Sequence, residues 1–174
     1  MKTLFVDNYD SFTFNLVQAL AKMGTAVQVR RNDDLSLAEV EKMCPDRIVI
    51  SPGPKRPEDA GMSCQIIEHF GPRVPLLGVC LGMQCINEVF GGRTVKAPLC
   101  VHGKTSAVHH NGKGIYEDVP RPFLGARYHS LVVDQIPECL QLEAWTEDGV
   151  PMLSLIHISE PTRLRRKSRM PSSA

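Results

Sequence analysis

No stretch of this 174-residue chain holds the roughly 20 consecutive apolar residues that a membrane-spanning helix needs. The opening residues, Met1-Lys2-Thr3-Leu4-Phe5-Val6-Asp7, read as an immediate strand. No secretory apolar region and no small-residue cleavage site precede it. Of the six cysteines, at positions 44, 64, 80, 85, 100 and 139, no two have the C-x-x-C spacing of a zinc or dithiol motif. These absences predict free thiols, no metal site, no membrane and a cytoplasmic location. Acidic or basic blocks are also missing from most of the chain. Residues 1–152 carry 15 basic and 18 acidic side chains, a net −3, which argues against nucleic acid as the main partner. The whole chain is +1 only because residues 153–174 hold five of the 20 Lys and Arg residues and one of the 19 acids.

What is present is a single informative cysteine. Cys80 lies in Pro75-Leu76-Leu77-Gly78-Val79-Cys80-Leu81-Gly82-Met83-Gln84, where a short apolar run meets Gly-x-Cys-x-Gly and helix-compatible residues follow from Met83 to Phe90. A cysteine after an apolar strand is by default a core residue. Glycines on both sides, between strand and helix, point instead to a nucleophile elbow, because they let the backbone pass where side chains would clash. The turn places sulfur at a helix N-terminus, where free amides and the helix dipole are expected to favour a thiolate and to hold an oxyanion. Cys85 lacks this context and reads as core. Cys44, Cys64, Cys100 and Cys139 read as structural.

Strand-like and helix-like runs alternate around it. Leu4–Val6, Ala26–Val29, Arg47–Ile50 and Leu76–Val79 are predicted strands. Ser11–Met23, with Ser11 as N-cap and Gly24 just past its end, is a predicted helix. So are Leu37–Met43, opened by Ser36, and Ala60–Phe70. The order implies a single α/β domain with a mostly parallel, open, twisted, flavodoxin-like sheet and helices on both faces. In such sheets sites form at the carboxyl ends of strands, where Cys80 and Gly53 both fall. Beyond Phe90 the texture changes to short runs: Arg93–Val95, Thr105–His109, Ala126–Tyr128, Leu131–Val133 and Leu142–Trp145. These predict an antiparallel extension of the same domain, with His109-His110 approaching a hairpin and not a metal site.

Five ordered motifs carry a resemblance over roughly residues 2–152. They are Asp7-Asn8-Tyr9-Asp10-Ser11-Phe12-Thr13, Ser51-Pro52-Gly53-Pro54, Gly78-Val79-Cys80-Leu81-Gly82, His102-Gly103-Lys104-Thr105 and Tyr128-His129-Ser130-Leu131. Together they resemble the class I (triad) glutamine amidotransferases, and among them the small subunits of anthranilate synthase and 4-amino-4-deoxychorismate synthase. The resemblance implies hydrolysis of L-glutamine through a γ-glutamyl thioester on Cys80. It implies delivery of ammonia to a larger, chorismate-utilising synthase subunit. It implies an oxyanion held by the backbone amides of Gly53 and Leu81, and a substrate site formed by Gly53, Pro54, Lys55, Gln84, Ser130 and Leu131. No metal and no organic cofactor is implied. Lys55 and Met83 depart from the commoner pattern, Lys55 facing a partner or solvent and Met83 being a packing variant. Taken alone, Pro-Gly-Pro is a turn, Gln84 a solvated helix residue and His129 a structural histidine.

The family's general base is a His-x-Glu pair in a late strand, where residues two apart share a face. No His-x-Glu occurs anywhere in this sequence, and His157-Ile158-Ser159-Glu160 has the wrong spacing. From Leu153 onward the resemblance stops. Leu153-Ser154-Leu155-Ile156-His157-Ile158-Ser159-Glu160-Pro161-Thr162-Arg163 resembles translated adapter DNA. The expectation is an amidotransferase domain over 1–152, incomplete at its C-terminal end, and a disordered or artefactual tail over 153–174. Two other classes stay open: a non-catalytic module that binds the synthase subunit, and a related elbow cysteine hydrolase using His129 as base.

Overall fold

The computed structural model describes residues 1–156. Its first half is β1 (Lys2–Asp7), α1 (Thr13–Lys22), β2 (Ala26–Arg31), α2 (Leu37–Met43), β3 (Arg47–Ile50), α3 (Ser63–Phe70), β4 (Leu76–Gly78) and α4 (Leu81–Val89). The strands form one parallel sheet in the order β2-β1-β3-β4. The central strands β1 and β3 are buried on both faces, as their unbroken apolar runs require. Leu4, Val6, Ile48 and Ile50 join Val40 of α2, Ile66, Ile67 and Phe70 of α3, and Leu81, Cys85 and Ile86 of α4 in one core cluster. Alternation turns Phe5 and Val49 to the opposite face, and both are buried there. Helix α1 contributes nothing to the first cluster and packs beside β2.

Local signals explain most boundaries. Ser36 caps α2 in a full capping box: its side chain accepts from the Glu39 amide, and Glu39 accepts from the Ser36 amide. Gly24 follows the end of α1 with φ +77°. The expected Ser11 cap is not formed. Helix α1 starts at Thr13, and Asp10 accepts from the Phe12 amide through its carboxylate and from Thr13 through its backbone carbonyl. The carboxylate offers a stronger acceptor one residue earlier, and it wins. Likewise α3 begins at Ser63, because Pro57–Asp59 forms a separate 3-10 turn ahead of it.

The second half makes its own antiparallel sheet, β6-β5-β7-β8, instead of extending the first. It comprises β5 (Arg93–His110), β6 (Phe123–Gln135), β7 (Leu140–Thr146) and β8 (Pro151–Ile156). Pro98 and Gly103 break the sequence alternation that would reveal β5 as one strand. The structure absorbs both as irregularities in the β5–β6 register. Residues 153–156, read above as the start of an unstructured tail, are strand paired to β7. His157 and Glu160 lie outside the described residues. Among the described residues no helix is long and apolar enough to cross a membrane.

Helix α4 is the seam between the sheets. The buried Asn87 side chain donates to the Gln135 carbonyl of β6 at 3.0 Å, and the Gln84 side chain reaches the Leu131 carbonyl at 3.5 Å. On its other side α4 lies directly on the parallel sheet. A Cβ on Gly82 would stand 2.4 Å from the Ile50 carbonyl oxygen, and one on Gly78 would stand 2.4 Å from the carbonyl group of Gly82. Both obstacles are backbone, so neither can rotate aside. Gly82→Ala is therefore expected to lower unfolding free energy by about 3 kcal/mol, the upper range for overpacking. Urea denaturation checks this, and a change below about 1 kcal/mol would show that α4 has room to shift.

Candidate active site

The elbow forms as the glycines require. Only Val79 and Cys80 separate β4 from α4, and Cys80 occupies φ +54°, ψ −107°. This lies outside the regions that non-glycine residues ordinarily adopt. The strain is stored where the chain turns from strand to helix, and it pushes the side chain out of the turn. The Cys80 side chain reaches solvent through a cleft of about 720 Å³. Gly53, Met83, Gln84, His102, His129 and Leu131 line it too.

The loop carrying Gly53 leaves the end of β3. With proline on either side, Gly53 holds the only amide hydrogen of Pro52-Gly53-Pro54. Among the described residues that amide has no hydrogen-bond acceptor. A side chain at this position is excluded: a Cβ would meet Asn8 Cβ at 2.5 Å and Leu81 Cδ2 at 2.7 Å. Leu81 is buried in the core, and its backbone amide favours the charged form of the adjacent Cys80 thiol. Gly53 thus packs against the elbow residue Leu81 and shares the cleft with Cys80.

The other expected residues divide. Gln84 is buried, 5% exposed, and not a solvated helix residue; it is held by Leu131. Leu131 lines the cleft, whereas Pro54, Lys55 and Ser130 are exposed and are not part of its wall. Lys55 has φ +68°. Met83 is half-buried in the wall.

One electrostatic expectation is reversed. Burial pushes the Cys80 thiol above its ordinary value of 9.0, the Leu81 amide pulls the other way, and the Asp10 carboxylate adds to the rise. The helix N-terminus is present, but desolvation outweighs it. Among the described residues no imidazole hydrogen-bonds to the thiol.

Arg127 was invisible as a site residue in the sequence. It is only 5% exposed, yet it lines the cleft. Its Nη1 donates to both Asp148 carboxylate oxygens, at 3.1 and 3.0 Å, and to Ser106 Oγ at 3.2 Å. Its Nε donates to His129 Nε2 at 3.1 Å. That contact requires an unprotonated Nε2 and places the His129 proton on Nδ1, a buried atom without a partner. The signal available in the sequence was the i, i+2 pairing of Arg127 with His129 on one face of a strand.

Residues 4–163 match the family model described as glutamine amidotransferase class-I. The chain therefore belongs to the class I glutamine amidotransferase family. It is 49% identical to anthranilate synthase component 2 of Thermus thermophilus over 93% of this chain and 80% of that one. It is 49% identical to aminodeoxychorismate synthase component 2 of Escherichia coli, over 83% of this chain and 78% of that one. A relative from Bacillus subtilis, 47% identical over 84% of this chain and 76% of that one, bears both names, aminodeoxychorismate/anthranilate synthase component 2. In fold, the chain resembles a glutamine amidotransferase from Thermotoga maritima with a TM-score of 0.74 at 13% identity, over 90% of this chain and 71% of that one.

Two outcomes follow from this geometry. Cys80→Gly removes the thiol but relieves backbone strain of roughly 1–3 kcal/mol, against a glycine entropy cost of roughly 0.5–1 kcal/mol. The variant is expected to melt later than the parent, by about 1 kcal/mol of stability; an earlier melt would mean the turn is not strained. For His129, burial first and Arg127 second hold the ring below its ordinary 6.5. The folded state then binds fewer protons than the unfolded one. This contribution to stability is present above pH 6.5 and is lost as pH falls below it. NMR titration should give a midpoint under 6.5 for His129, and Arg127→Met should raise it.

Proposed function

We propose that this chain is the glutamine-handling subunit of a two-component synthase that aminates chorismate. The observation that carries this is the strained Cys80 elbow sharing one cleft with Gly53, whose amide has no acceptor among the described residues, in a chain of this family. Residues 1–152 supply the amidotransferase unit, working in the cytoplasm. L-Glutamine lies in the cleft, with Gly53, Gln84 and Leu131 around it and Pro54, Lys55 and Ser130 at its margin. The Cys80 sulfur bonds to the carboxamide carbon, and the carbonyl electrons move onto oxygen, where the Gly53 and Leu81 amides receive them. The carbon–nitrogen bond then breaks, the nitrogen leaves as ammonia with the thiol's proton, and water hydrolyses the thioester to glutamate. Ammonia passes to the larger subunit. Relatives named for anthranilate and for aminodeoxychorismate synthesis share about the same identity with this chain, so the choice of product belongs to that larger subunit.

Proton transfer is the weak step. The sequence contains no His-x-Glu pair, and desolvation first, then the Asp10 carboxylate, raise the Cys80 thiol above its ordinary value. We infer glutamine binding with slow turnover. A second reading has one specific observation in its favour: a neutral His129 in the cleft wall could serve as base for a different elbow hydrolase.

Glutamine hydrolysis and iodoacetamide labelling separate these. Glutamine is expected to protect Cys80 from alkylation, while ammonia release stays negligible beside the Thermus thermophilus relative, with or without a large subunit. Turnover matching that relative would falsify the slow-turnover reading. Loss of hydrolysis of a non-glutamine substrate in His129→Asn would favour the second. Alkylation should rise with pH through a midpoint above 9.0, and Asp10→Asn should move that midpoint down.

A further inference from the structure

Beneath the Gly53 loop lies a polar cluster that plays no part in the chemistry above. Asn8 follows the last residue of β1 and is 3% exposed. Its backbone amide donates to Ser51 Oγ at 2.8 Å, and its Nδ2 donates to the Ser51 carbonyl at 3.0 Å. Its Oδ1 accepts from Asn32 Nδ2 at 2.9 Å and from Ser63 Oγ at 2.7 Å. Ser51 Oγ passes its own proton to the Pro52 carbonyl at 2.6 Å. One carboxamide therefore ties together the ends of β1, β2 and β3 and the first turn of α3. Asn8 also touches the functional loop directly. The space beside Gly53 is filled by Asn8 Cβ and the Asn8 carbonyl oxygen, 2.5 and 2.9 Å from where a Cβ would stand.

Buried polar groups are costly unless fully partnered, and a fully partnered network is rigid. This one holds the peptide plane on each side of Pro52 at one point, the Ser51 carbonyl by Asn8 Nδ2 and the Pro52 carbonyl by Ser51 Oγ. A loop between two prolines has few torsions left, so fixing Ser51 and Pro52 fixes the direction of the next N–H.

We propose that Asn8 is the positioning residue that aims the Gly53 amide at the oxyanion forming beside Cys80. The proposal rests on Gly53 serving as an oxyanion donor. Asn8 touches no substrate. It acts through Ser51, and its loss should slow reaction at a carbonyl while leaving the thiol's intrinsic reactivity alone.

The test compares two alkylating agents on the whole chain, so that it does not need turnover. A chloromethyl ketone analogue of glutamine places its carbonyl oxygen where the oxyanion forms; sulfur bonds to the chloromethyl carbon, chloride leaves and the thiol proton goes to solvent. Iodoacetamide reacts by direct displacement of iodide and reports access and thiolate alone. Asn8→Asp keeps shape and both accepted hydrogen bonds but puts an oxygen against the Ser51 carbonyl. Ser51→Ala removes the hydroxyl and leaves the carboxamide, and it carries the test should Asn8→Asp fail to fold. Ser63→Ala removes a contact on the far side of Asn8.

Expected is a loss of about 100-fold in the maximal chloromethyl ketone rate for Asn8→Asp and Ser51→Ala, the scale for one oxyanion donor. The half-saturating concentration and the iodoacetamide rate should change less than threefold, and Ser63→Ala should match the parent. Equal losses with both reagents, or no loss with either, would overturn the proposal while leaving the amidotransferase reading intact. A parent protein whose ketone reaction is neither saturable nor blocked by glutamine would overturn both.

Discussion

Helix α4 can begin two residues after β4 ends only because no side chain stands between Gly78 and Gly82. At that contact strand, turn and helix backbones approach within distances that any Cβ would violate, and the Ile50 carbonyl closes the third side. The consequences run outward. The turn has no freedom to relax, so Cys80 stays at φ +54°, ψ −107° with its sulfur in the cleft. Leu81 is pressed into the core against the Gly53 loop. Further along the same helix, Gln84 and Asn87 reach carbonyls of β6 and carry the second sheet into position. A single backbone contact thus orders Cys80, the Gly53 loop and the far wall of the cleft.

Legibility in the sequence followed the range of the forces involved. The elbow, the capping box at Ser36 and the strand Arg47–Ile50 were readable because each depends on residues within a few positions of one another. The parallel order followed from alternation of strand and helix. The second sheet was only half readable: β5 and β6 each looked like two short strands, since Pro98 and Gly103 interrupt a pattern that hydrogen bonding to the neighbour preserves. Ser11 was a sound local cap that lost to the Asp10 carboxylate beside it. The partners of Asn8, at positions 32, 51 and 63, could not be inferred from any spacing, because the sheet alone brings those strand ends together. Arg127 was missed for the related reason that an arginine reads as surface until the fold encloses it.

The sulfur shows how far position and activation are separable. A helix N-terminus lowers a thiol's pKa when its amides are the dominant neighbours. At Cys80 the Leu81 amide does act in that direction, but burial under the elbow and the nearby Asp10 carboxylate act against it and prevail. The packing that aims the sulfur also desolvates it in part, although its side chain still opens to the cleft. An elbow of this kind supplies geometry and an oxyanion site. It needs a base for the proton, and a neutral imidazole is the natural complement because it can take that proton without first placing a second charge in the cleft. His129 is held neutral, but its Nε2 is committed to Arg127 and its Nδ1 already carries the proton. As a base it would have to release the arginine first, leaving a guanidinium 5% exposed beside a newly charged ring. That cost falls on the step that needs help, so His129 suits holding the cleft wall better than driving the thiol.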